Sequence, residues 1–505
     1  MWDMLLKKKK KKKKKRVQSS PEYFSGSIPS SPITTDIIFN RDFILDAVCR
    51  SDDVRTRDTI WNQKKAVLIY VDNLVEKKML QDKVLEPLQT SQATSLPEAV
   101  PVAVLVRVTD FKDAVTKLIR GYALLLIDQE AAIYCSNVSK TKGRTIEEPG
   151  NEQIIRGSHE GFVENVDLNL YLVRLRIQNP NLVVKYHSVS ETAPRNVSLL
   201  YINGLTNPKI VQLVEQKLKT IRVDFAAAPG TLQDYLDENP ASLFPQFILT
   251  ERPDRVAAHL MEGRVALLMQ GSASALILPV TFFTFFQSPD DYNSRWMQGS
   301  FFRILRFISF WLATTLPAFY ISVVSYQYEI IPIDLTYIIK SSLENIPFPP
   351  IIEALFMVVV LELLKEAAIR LPKSIAQTIG IVGGLVIGTA VVQASFVSNA
   401  MIIVIALTAI SSFCVPMAEM GSSLRLISFP MMLGATLFGF LGIAFCFIIL
   451  IMHLCKMQNY GSPYFYPLAP LRIARLKDAL VRFPQWTMKK RSNDALPQER
   501  LNERE

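Results

Sequence analysis

Residues 374–418 read SIAQTIGIVGGLVIGTAVVQASFVSNAMIIVIALTAISSFCVPMA and contain no Asp, Glu, Lys or Arg. Two further stretches, Phe307–Tyr328 and Leu426–Cys455, are also free of these four residue types. About 20 apolar residues span the hydrocarbon core of a bilayer, and the spanning chain must be helical because lipid offers no partner to backbone groups. Three such runs favour a polytopic α-helical membrane domain, placed at residues 296–456, over a buried hairpin of core helices.

The net charge is concentrated at one end of the chain. The 505 residues carry a formal charge of +10, and residues 1–16 supply +9 of it through nine lysines, Arg16 and Asp3. The basicity is therefore one run and not a patterned surface, so we expect no nucleic-acid partner. The lysine run predicts a solvated, disordered tail over residues 1–35, with binding of anionic membrane lipid as the alternative.

The first residues do not have the pattern of a secretory signal. Met1–Leu6 is a short apolar stub ahead of the lysine run, the reverse of a charged region followed by an apolar one. We therefore expect residues 1 to about 300 to stay in the cytoplasm, with the first membrane helix acting as the insertion signal.

Cysteine and histidine patterns exclude several classes of protein. The five cysteines are scattered, and none lies in a CxxC or zinc spacing. The four histidines form no HExxH motif, and neither GxxxxGK[ST] nor GxGxxG after a strand occurs. We expect no catalytic site, no metal and no cofactor.

The first 295 residues alternate short β-rich runs with helical patterns. Tyr122–Asp128 and Ala131–Cys135 predict a hairpin, Asp110–Gly121 predicts a helix closed by glycine, and Glu160–Ile177 and Pro208–Ile221 predict two more helices. The alternation predicts an α/β-type cytoplasmic domain of two small subdomains, at residues 36–145 and 146–295. The boundary between them falls at the turn-rich residues 143–151.

Residues 265–287 resemble a membrane span because they carry no charge. However, Gly271 and Pro279 interrupt the run. We predict strands at Val265–Met269 and Ala275–Leu278, followed by an aromatic segment, Phe282–Phe286, at the bilayer interface.

Five apolar segments follow, at residues 306–328, 350–371, 375–397, 399–416 and 424–454. Arginine and lysine clusters lie before the first segment, between the second and third, and after the last. Such clusters stay in the cytoplasm, which requires an even number of crossings. We therefore predict four crossings, with the short fourth segment re-entrant or half-spanning and with residues 457–505 as a cytoplasmic tail.

Charged residues inside the second segment are candidates for function. Glu362 and Glu366 lie four apart on one helix face, with Lys365 beside them. Because charges at membrane depth face a cavity or a partner charge, the two carboxylates predict either a cation path or a structural Glu–Lys–Glu cluster near the cytoplasmic end. Glu353, at the other end, is predicted to be interfacial.

The third segment carries a stripe of glycines. Gly380, Gly384 and Gly388 recur every fourth residue, and Gln393 is the only strongly polar side chain between Gly380 and Val397. Stripes of small residues allow two helices to approach closely. The pattern fits packing inside one subunit and packing around a shared pore equally well.

Five blocks of the sequence resemble the A subunits of GerA-type spore germination receptors, in the order of that family. The blocks are EEPGNEQIIRGSHEGFVENVDLNLYLVRLR (147–176), EGRVALLMQ (262–270), FQSPDDY (286–292), ELLKEAAIRLP (362–372) and GSPYFYPLAP (461–470). The family usually carries an acidic residue where Gln393 stands.

The resemblance implies a cytoplasmic domain of two α/β-type subdomains on a membrane domain, in the inner membrane of a bacterial spore. It also implies partners, namely a transporter-like B subunit that senses the nutrient, a lipoprotein C subunit and further copies of this chain. Two functions compete: a subunit of a nutrient-gated cation channel, and a non-conducting scaffold or signal relay of the same receptor.

Overall fold

The computed structural model describes residues 30–498 apart from short gaps at 91–95, 101–104, 141–147, 153, 155, 193, 225–227, 345, 473–475 and 488–494. Most of the predicted Lys-rich tail lies outside the described residues. The chain forms two compact units, one of residues 1–142, 178–183 and 203–205, and the other of the remaining residues up to 505.

The first unit contains a five-stranded antiparallel sheet in the order β1-β2-β4-β5-β3. Its strands are β1 (Val54–Trp61), β2 (Lys64–Val71), β3 (Leu105–Val108), β4 (Tyr122–Ile127) and β5 (Ile133–Asn137). Its helices are α1 (Ile37–Ala47), α2 (Lys77–Leu80), α3 (Glu86–Thr90), α4 (Leu96–Ala99) and α5 (Phe111–Leu118), with a π-helical turn at Gln81–Leu85.

The local sequence explains these elements. In α5 the buried residues Phe111, Ala114, Val115 and Leu118 recur at the helical period and form one apolar face. Gly121 follows with φ of +91°, a conformation that glycine adopts at little cost. The predicted hairpin is confirmed, since β4 and β5 pair antiparallel.

The second unit contains a sheet in the order β6-β7-β9-β10-β8. Its strands are β6 (Leu182–Val189), β7 (Arg195–Ile202), β8 (Ile248–Thr250), β9 (Val265–Met269) and β10 (Ala275–Leu278). The helices around it are α6 (Val166–Arg176), α7 (Pro208–Thr220), α8 (Pro229–Leu236) and α9 (Pro253–Met261). Helix α6 begins later than predicted because the side chain of Asn165 caps it by accepting from the Asp167 and Leu168 amides.

The charge-free residues 265–287 form the predicted hairpin. Strand β9 pairs antiparallel with β10, with Ala275 opposite Leu268. The aromatic segment Phe282–Phe286 is a buried 3₁₀-helix, and the ring of Phe282 packs edge-on against that of Phe310, 5.5 Å away.

Helices dominate the chain after residue 288. They are α10 (Pro289–Asn293), α11 (Trp296–Ser325), α12 (Ile333–Leu343), α13 (Pro350–Arg370), α14 (Lys373–Gln393), α15 (Asn399–Phe413), α16 (Ala418–Phe438), α17 (Phe440–Lys456) and α18 (Leu476–Ala479), with short 3₁₀ turns at Tyr328–Ile330 and Gln485–Thr487. The chain therefore has a mixed α/β N-terminal region followed by a helical C-terminal region. The numbered domain bounds given above stay predictions.

Two of the described helices are long and apolar enough to cross a membrane, namely α11 and the Ile375–Gln393 part of α14. Two shorter helices, α15 and α17, are also apolar.

Part of the predicted C-terminal tail belongs to the core of the second unit. Residues Gln458–Asn459 and Ser462–Pro463 pair as a small antiparallel ladder, β11 and β12. Tyr460 is buried in the apolar cluster beneath the sheet and donates its hydroxyl to the Leu236 carbonyl at 2.8 Å. This segment returns the chain from α17 to the α/β region.

The fifth apolar segment, predicted as one crossing, is two helices. The chain turns at Gly439, whose φ is +60°, between α16 and α17. A side chain built on Gly442 would overlap the carbonyl oxygen of Gly434, and one built on Gly434 would lie 3.0 Å from the Gly442 carbonyl oxygen. The structure therefore divides this segment into two helices at Gly439, and the number of membrane crossings stays a prediction.

The contacts between helices define two ends of the bundle. At one end Glu362 of α13 pairs with Arg425 of α16, and at the other Glu353 accepts from the Ser398 amide, just before α15. Helix α15, predicted as re-entrant, therefore runs from the second end to the first, as α13 does. The hydroxyl of Tyr326, at the end of α11, donates to the Thr436 carbonyl in the last turn of α16 at 2.5 Å.

Replacing Gly442 with Ala should destabilise the helical region by about 1–3 kcal/mol, because the added methyl group overlaps backbone that cannot move aside. The matched control is Gly384→Ala, where the new methyl group meets no atom of this chain within 4 Å. Thermal unfolding of the purified chain in detergent measures both. Equal unfolding temperatures for Gly442→Ala and wild type would contradict the close approach of α16 and α17.

Candidate functional site

The structure separates the carboxylates that the sequence grouped together. Glu362 pairs with Arg425, whereas Glu366 pairs with Arg370 at 2.5 Å on the exposed surface of the same helix. The ammonium group of Lys365 lies 5.5 Å from the centre of the Phe413 ring. The two carboxylates therefore neutralise two different arginines, and Lys365 pairs with neither of them.

The glycine stripe faces away from the rest of the chain. A side chain built on Gly380, Gly384 or Gly388 would meet no atom within 4 Å, and Gln393 is exposed. The neighbouring Gly383 is the one in contact, because a side chain there would lie 3.0 Å from Leu364. The three striped glycines do not pack helices together inside one chain.

The most densely connected polar group lies instead at the start of α11. We call it the base cluster; it consists of Asp291, Arg303, Arg306, Asp478 and Arg482. The side chains of Asp291 and Arg303 are 1% and 0% exposed. Nη1 of Arg306 donates to both oxygens of Asp291 at 2.8 Å, and Nε of Arg303 lies 3.4 Å from Oδ2 of the same carboxylate.

Local structure fixes the acid at the centre of the base cluster. Ser288 caps the short helix α10 in a capping box, in which its amide donates to Oδ2 of Asp291 at 3.2 Å. Arg303 and Arg306 are three residues apart on α11 and so share a helix face. The carboxylate of Asp291 is therefore held at the point that both guanidinium groups reach.

The C-terminal segment completes the base cluster. Nη1 of Arg303 lies 3.2 Å from Oδ1 of Asp478. Arg482 donates to the carbonyl groups of Asp291 and Ser294, and its own carbonyl accepts from the hydroxyl of Ser300 on α11 at 2.7 Å. Three segments far apart in sequence are thus tied to one another.

Charge in the base cluster is almost balanced. Three guanidinium groups face two carboxylates, and the surplus positive charge is met by backbone carbonyls such as Phe286, 3.1 Å from Nη1 of Arg306. The ring of Tyr292 lies 5.6 Å from the guanidinium carbon of Arg303. Burial raises the pKa of Tyr292, so its hydroxyl keeps its proton and donates to Asp478 at 3.4 Å.

A second contact region joins the other end of the α/β sheet to α16 and α17. Oγ of Ser242 lies 2.8 Å from Nε2 of His453 and 3.2 Å from the sulfur of Met457. Ser423 of α16 donates to the Leu243 carbonyl at 2.5 Å. The sequence favours His453 as an interfacial anchor; in the structure its ring contacts the α/β region.

The base cluster is a network of charged hydrogen bonds between distant segments. Within the described part of the chain, no group of three or more His, Cys, Asp or Glu side chains has the geometry to hold a metal ion. The base cluster instead links the loop after the aromatic 3₁₀-helix, the first long helix and the C-terminal segment through charged hydrogen bonds. A displacement of any one of the three must move the others or break a buried ion pair.

Sequence reasoning missed the base cluster although its residues were visible. In the sequence, Arg303 and Arg306 indicate which side of the membrane the chain occupies. The block FQSPDDY contributes only to the family resemblance. The available signal is the pair of arginines three apart inside the first turns of a membrane helix, since such charges need partners. Asp478, one of the two partners of Arg303, lies 175 positions further along the chain.

Comparison with known proteins identifies the family. Residues 42–494 match the profile described as "Bacillus/Clostridium GerA spore germination protein". The chain belongs to this family. GerA proteins are spore germination proteins and not a known enzyme class, which supports a role for this chain in spore germination.

Several relatives are similar over most of their length. The chain is 35% identical to spore germination protein B1 of Bacillus subtilis (strain 168), over 94% of this chain and 100% of the relative. It is 38% identical to spore germination protein A1 of the same strain, over 74% of this chain and 77% of the relative. It is 37% identical to the uncharacterized membrane protein YfkQ of that strain, over 84% of each chain.

A solved structure also matches the first half of the chain. It is the N-terminal domain of the A subunit of the Bacillus megaterium spore germinant receptor GerK3, 23% identical, with a TM-score of 0.40. The match covers 50% of this chain and 99% of that domain.

Replacing Arg303 with Met should destabilise the protein by about 3–5 kcal/mol, because Asp291 and Asp478 would lose a buried partner. The matched control is Arg370→Met, which removes an exposed pair worth about 0.3–0.5 kcal/mol. Thermal unfolding in detergent compares the two. If both variants unfold within a degree of wild type, the base cluster does not hold these segments together.

Proposed function

We propose that this GerA protein is the A subunit of a nutrient-responsive spore germination receptor and forms an oligomeric, nutrient-gated cation channel in the spore inner membrane. The observation that carries the proposal is the surface of α14. Its apolar part, Ile375–Gln393, has a mean hydropathy of 2.0. None of the most apolar stretch of this helix is buried against the rest of the chain. Such a helix must be covered by lipid or by another protein.

The glycine stripe favours protein over lipid. Gly380, Gly384 and Gly388 leave a shallow, open groove on α14. Lipid is as apolar as leucine, so helices in a membrane associate through close packing, which small residues permit. A ring of copies that meet through this groove would place α14 of each copy beside that of its neighbour.

The base cluster supports a mechanical connection between the α/β region and the proposed channel. It ties α10, the segment that follows the α/β region, to the first long helix through buried ion pairs, which resist small relative movements. In our proposal a nutrient is sensed by a transporter-like B subunit, a lipoprotein C subunit completes the receptor, and the α/β region passes the signal on. The chain itself uses no cofactor and catalyses no reaction.

The second candidate is a non-conducting scaffold or signal relay of the same receptor. It is favoured by the charge pairing in α13, because Glu362 and Glu366 each face an arginine and not a free path. Both candidates share the membrane location and the receptor partners, and they differ in whether ions pass through this chain.

Gly384→Leu separates the two candidates. The leucine would fill the open groove without touching this chain, so the single subunit should fold and reach the membrane. If copies meet there around a pore, nutrient-triggered release of potassium from spores should be abolished or become constitutive. The control is Val386→Leu, an exposed position about 200° around the helix from Gly384.

Normal germination kinetics with Gly384→Leu, together with unchanged cross-linking between copies, would contradict packing through the stripe. Loss of cross-linking with normal ion release would favour the relay over the channel.

The membrane topology that we propose has six crossings in place of four. Helices α11, α13, α14, α15, α16 and α17 would each cross once, and both termini would stay in the cytoplasm, as the arginine clusters require. In this topology the connection before α16 lies in the cytoplasm, consistent with the hydrogen bond from Ser423 to Leu243 of the α/β region.

Cysteine labelling in a cysteine-free background tests the crossing number. Ser422→Cys, exposed near the start of α16, should be protected from a membrane-impermeant reagent with six crossings and labelled with four. Ser341→Cys should be labelled in either topology, and Ser19→Cys in neither, so they serve as controls. Labelling of Ser422→Cys in intact membranes would return the count to four.

A further inference from the structure

A carboxylate is buried at the end of the bundle far from the base cluster. Glu353 lies in the first turn of α13 and is 1% exposed. The sequence predicts an interfacial position for it, because it lies at the other end of its segment from Glu362 and Glu366. In the structure, the first turns of α13 and α15 and the body of α11 close around it.

The hydrogen bonds of Glu353 use one of its two oxygens. Oε2 accepts from the amide of Ser398 at 2.8 Å, whereas Oε1 is buried without a hydrogen-bond partner. The hydroxyl of Tyr320 on α11 lies 3.3 Å from Oγ of Ser398, so two hydroxyl groups are close by. None of the ion pairs found among the described residues includes Glu353.

Neighbouring elements bring no positive side chain to this carboxylate. Helix α15 carries no charged residue, and the charged residues of α11 and α16 lie in their first halves, towards the other end. Tyr320 is the titratable group that α11 contributes here. The start of α15 supplies only the partial positive charge of a helix N-terminus, roughly half an elementary charge.

Glu353 also differs from the other two carboxylates of α13. Among the described residues of 296–456, Glu353 is the one acidic side chain that is buried. Glu362 and Glu366, by contrast, each pair with an arginine. An isolated charge inside a protein is costly, so such a group takes up a proton or a counter-ion.

We propose that Glu353 binds a small monovalent cation, either a proton or an alkali metal ion, which neutralises it in the folded protein. Oε1 is the acceptor, and the hydroxyl of Ser398, whose amide binds Oε2, and the hydroxyl of Tyr320 next to it supply neutral oxygens. Oxygen donors of this kind suit hard cations. The site joins three helices, so its occupancy stabilises the end of the bundle whether or not the chain conducts ions.

The test measures unfolding of the purified full-length chain in detergent, with the ionic strength held constant by choline chloride. If an alkali ion is bound, sodium or potassium at pH 8 should raise the unfolding temperature by about 1 °C for each tenfold rise in ion concentration. If a proton is bound, the ions should have no effect and lower pH should raise the unfolding temperature in choline alone.

Glu353→Gln removes the charge and keeps an oxygen for the Ser398 amide. It should abolish whichever response wild type shows, whereas the control Glu344→Gln, at an exposed position on the same side of the bundle, should retain it. A wild-type protein that responds to neither alkali ions nor pH would overturn the proposal, as would a Glu353→Gln variant that responds as wild type does.

A second variant covers the case in which Glu353→Gln does not accumulate. Glu353→Asp keeps the charge but withdraws it by one methylene group. The site is supported if the rise in unfolding temperature needs at least a tenfold higher ion concentration, or if the midpoint of its pH dependence shifts. An unchanged dependence of the unfolding temperature on ions and pH overturns it. Because no ion flux is measured, these outcomes are independent of whether the receptor forms a channel.

Discussion

The ion pair between Asp291 and Arg303 is the interaction on which the second unit depends. Both side chains are removed from solvent, and each is also paired with a second charge, Asp291 with Arg306 and Arg303 with Asp478. Around them Arg306, Asp478 and Arg482 bring together the loop after the sheet, the first long helix and the C-terminal segment. Within the second unit, the segment that leaves the sheet, the first long helix and the C-terminal segment are therefore joined by buried charges.

Away from the base cluster, close packing of α16 against α17 holds these two helices together. The hairpin of α16 and α17 depends on two glycines, Gly434 and Gly442, whose backbones touch. The same residue type has the opposite surroundings in α14, where Gly380, Gly384 and Gly388 meet nothing. Glycine at a contact within the chain explains the fold of one subunit, and glycine facing outward leaves a surface for a partner. The contrast is why we assign the stripe to assembly.

Charge pairing decides where an ion can interact with the helical region. Arginines already neutralise the carboxylates of Glu362 and Glu366, so these offer little to a cation. Glu353 has no such partner and is buried. An unpaired acid at one end and a paired, arginine-rich cluster at the other give the bundle two electrostatically different ends. This difference is why we propose a cation site at the end that holds Glu353 and not at the end that holds the base cluster.

The sequence by itself determined the class of the protein and many of its elements. Absence of charge over residues 374–418 indicated membrane helices, and Gly271 and Pro279 were enough to predict the hairpin of β9 and β10 that the structure contains. These are local properties, set by hydropathy and backbone geometry over a few turns. The tertiary structure alone decided three things: the break at Gly439, the outward direction of the glycine stripe, and the partners of each buried charge. Arg303 meets Asp478 across 175 positions, and Glu353 meets Ser398 across 45. No periodicity within one segment records which distant segment will lie beside it, because that depends on how all the helices pack together.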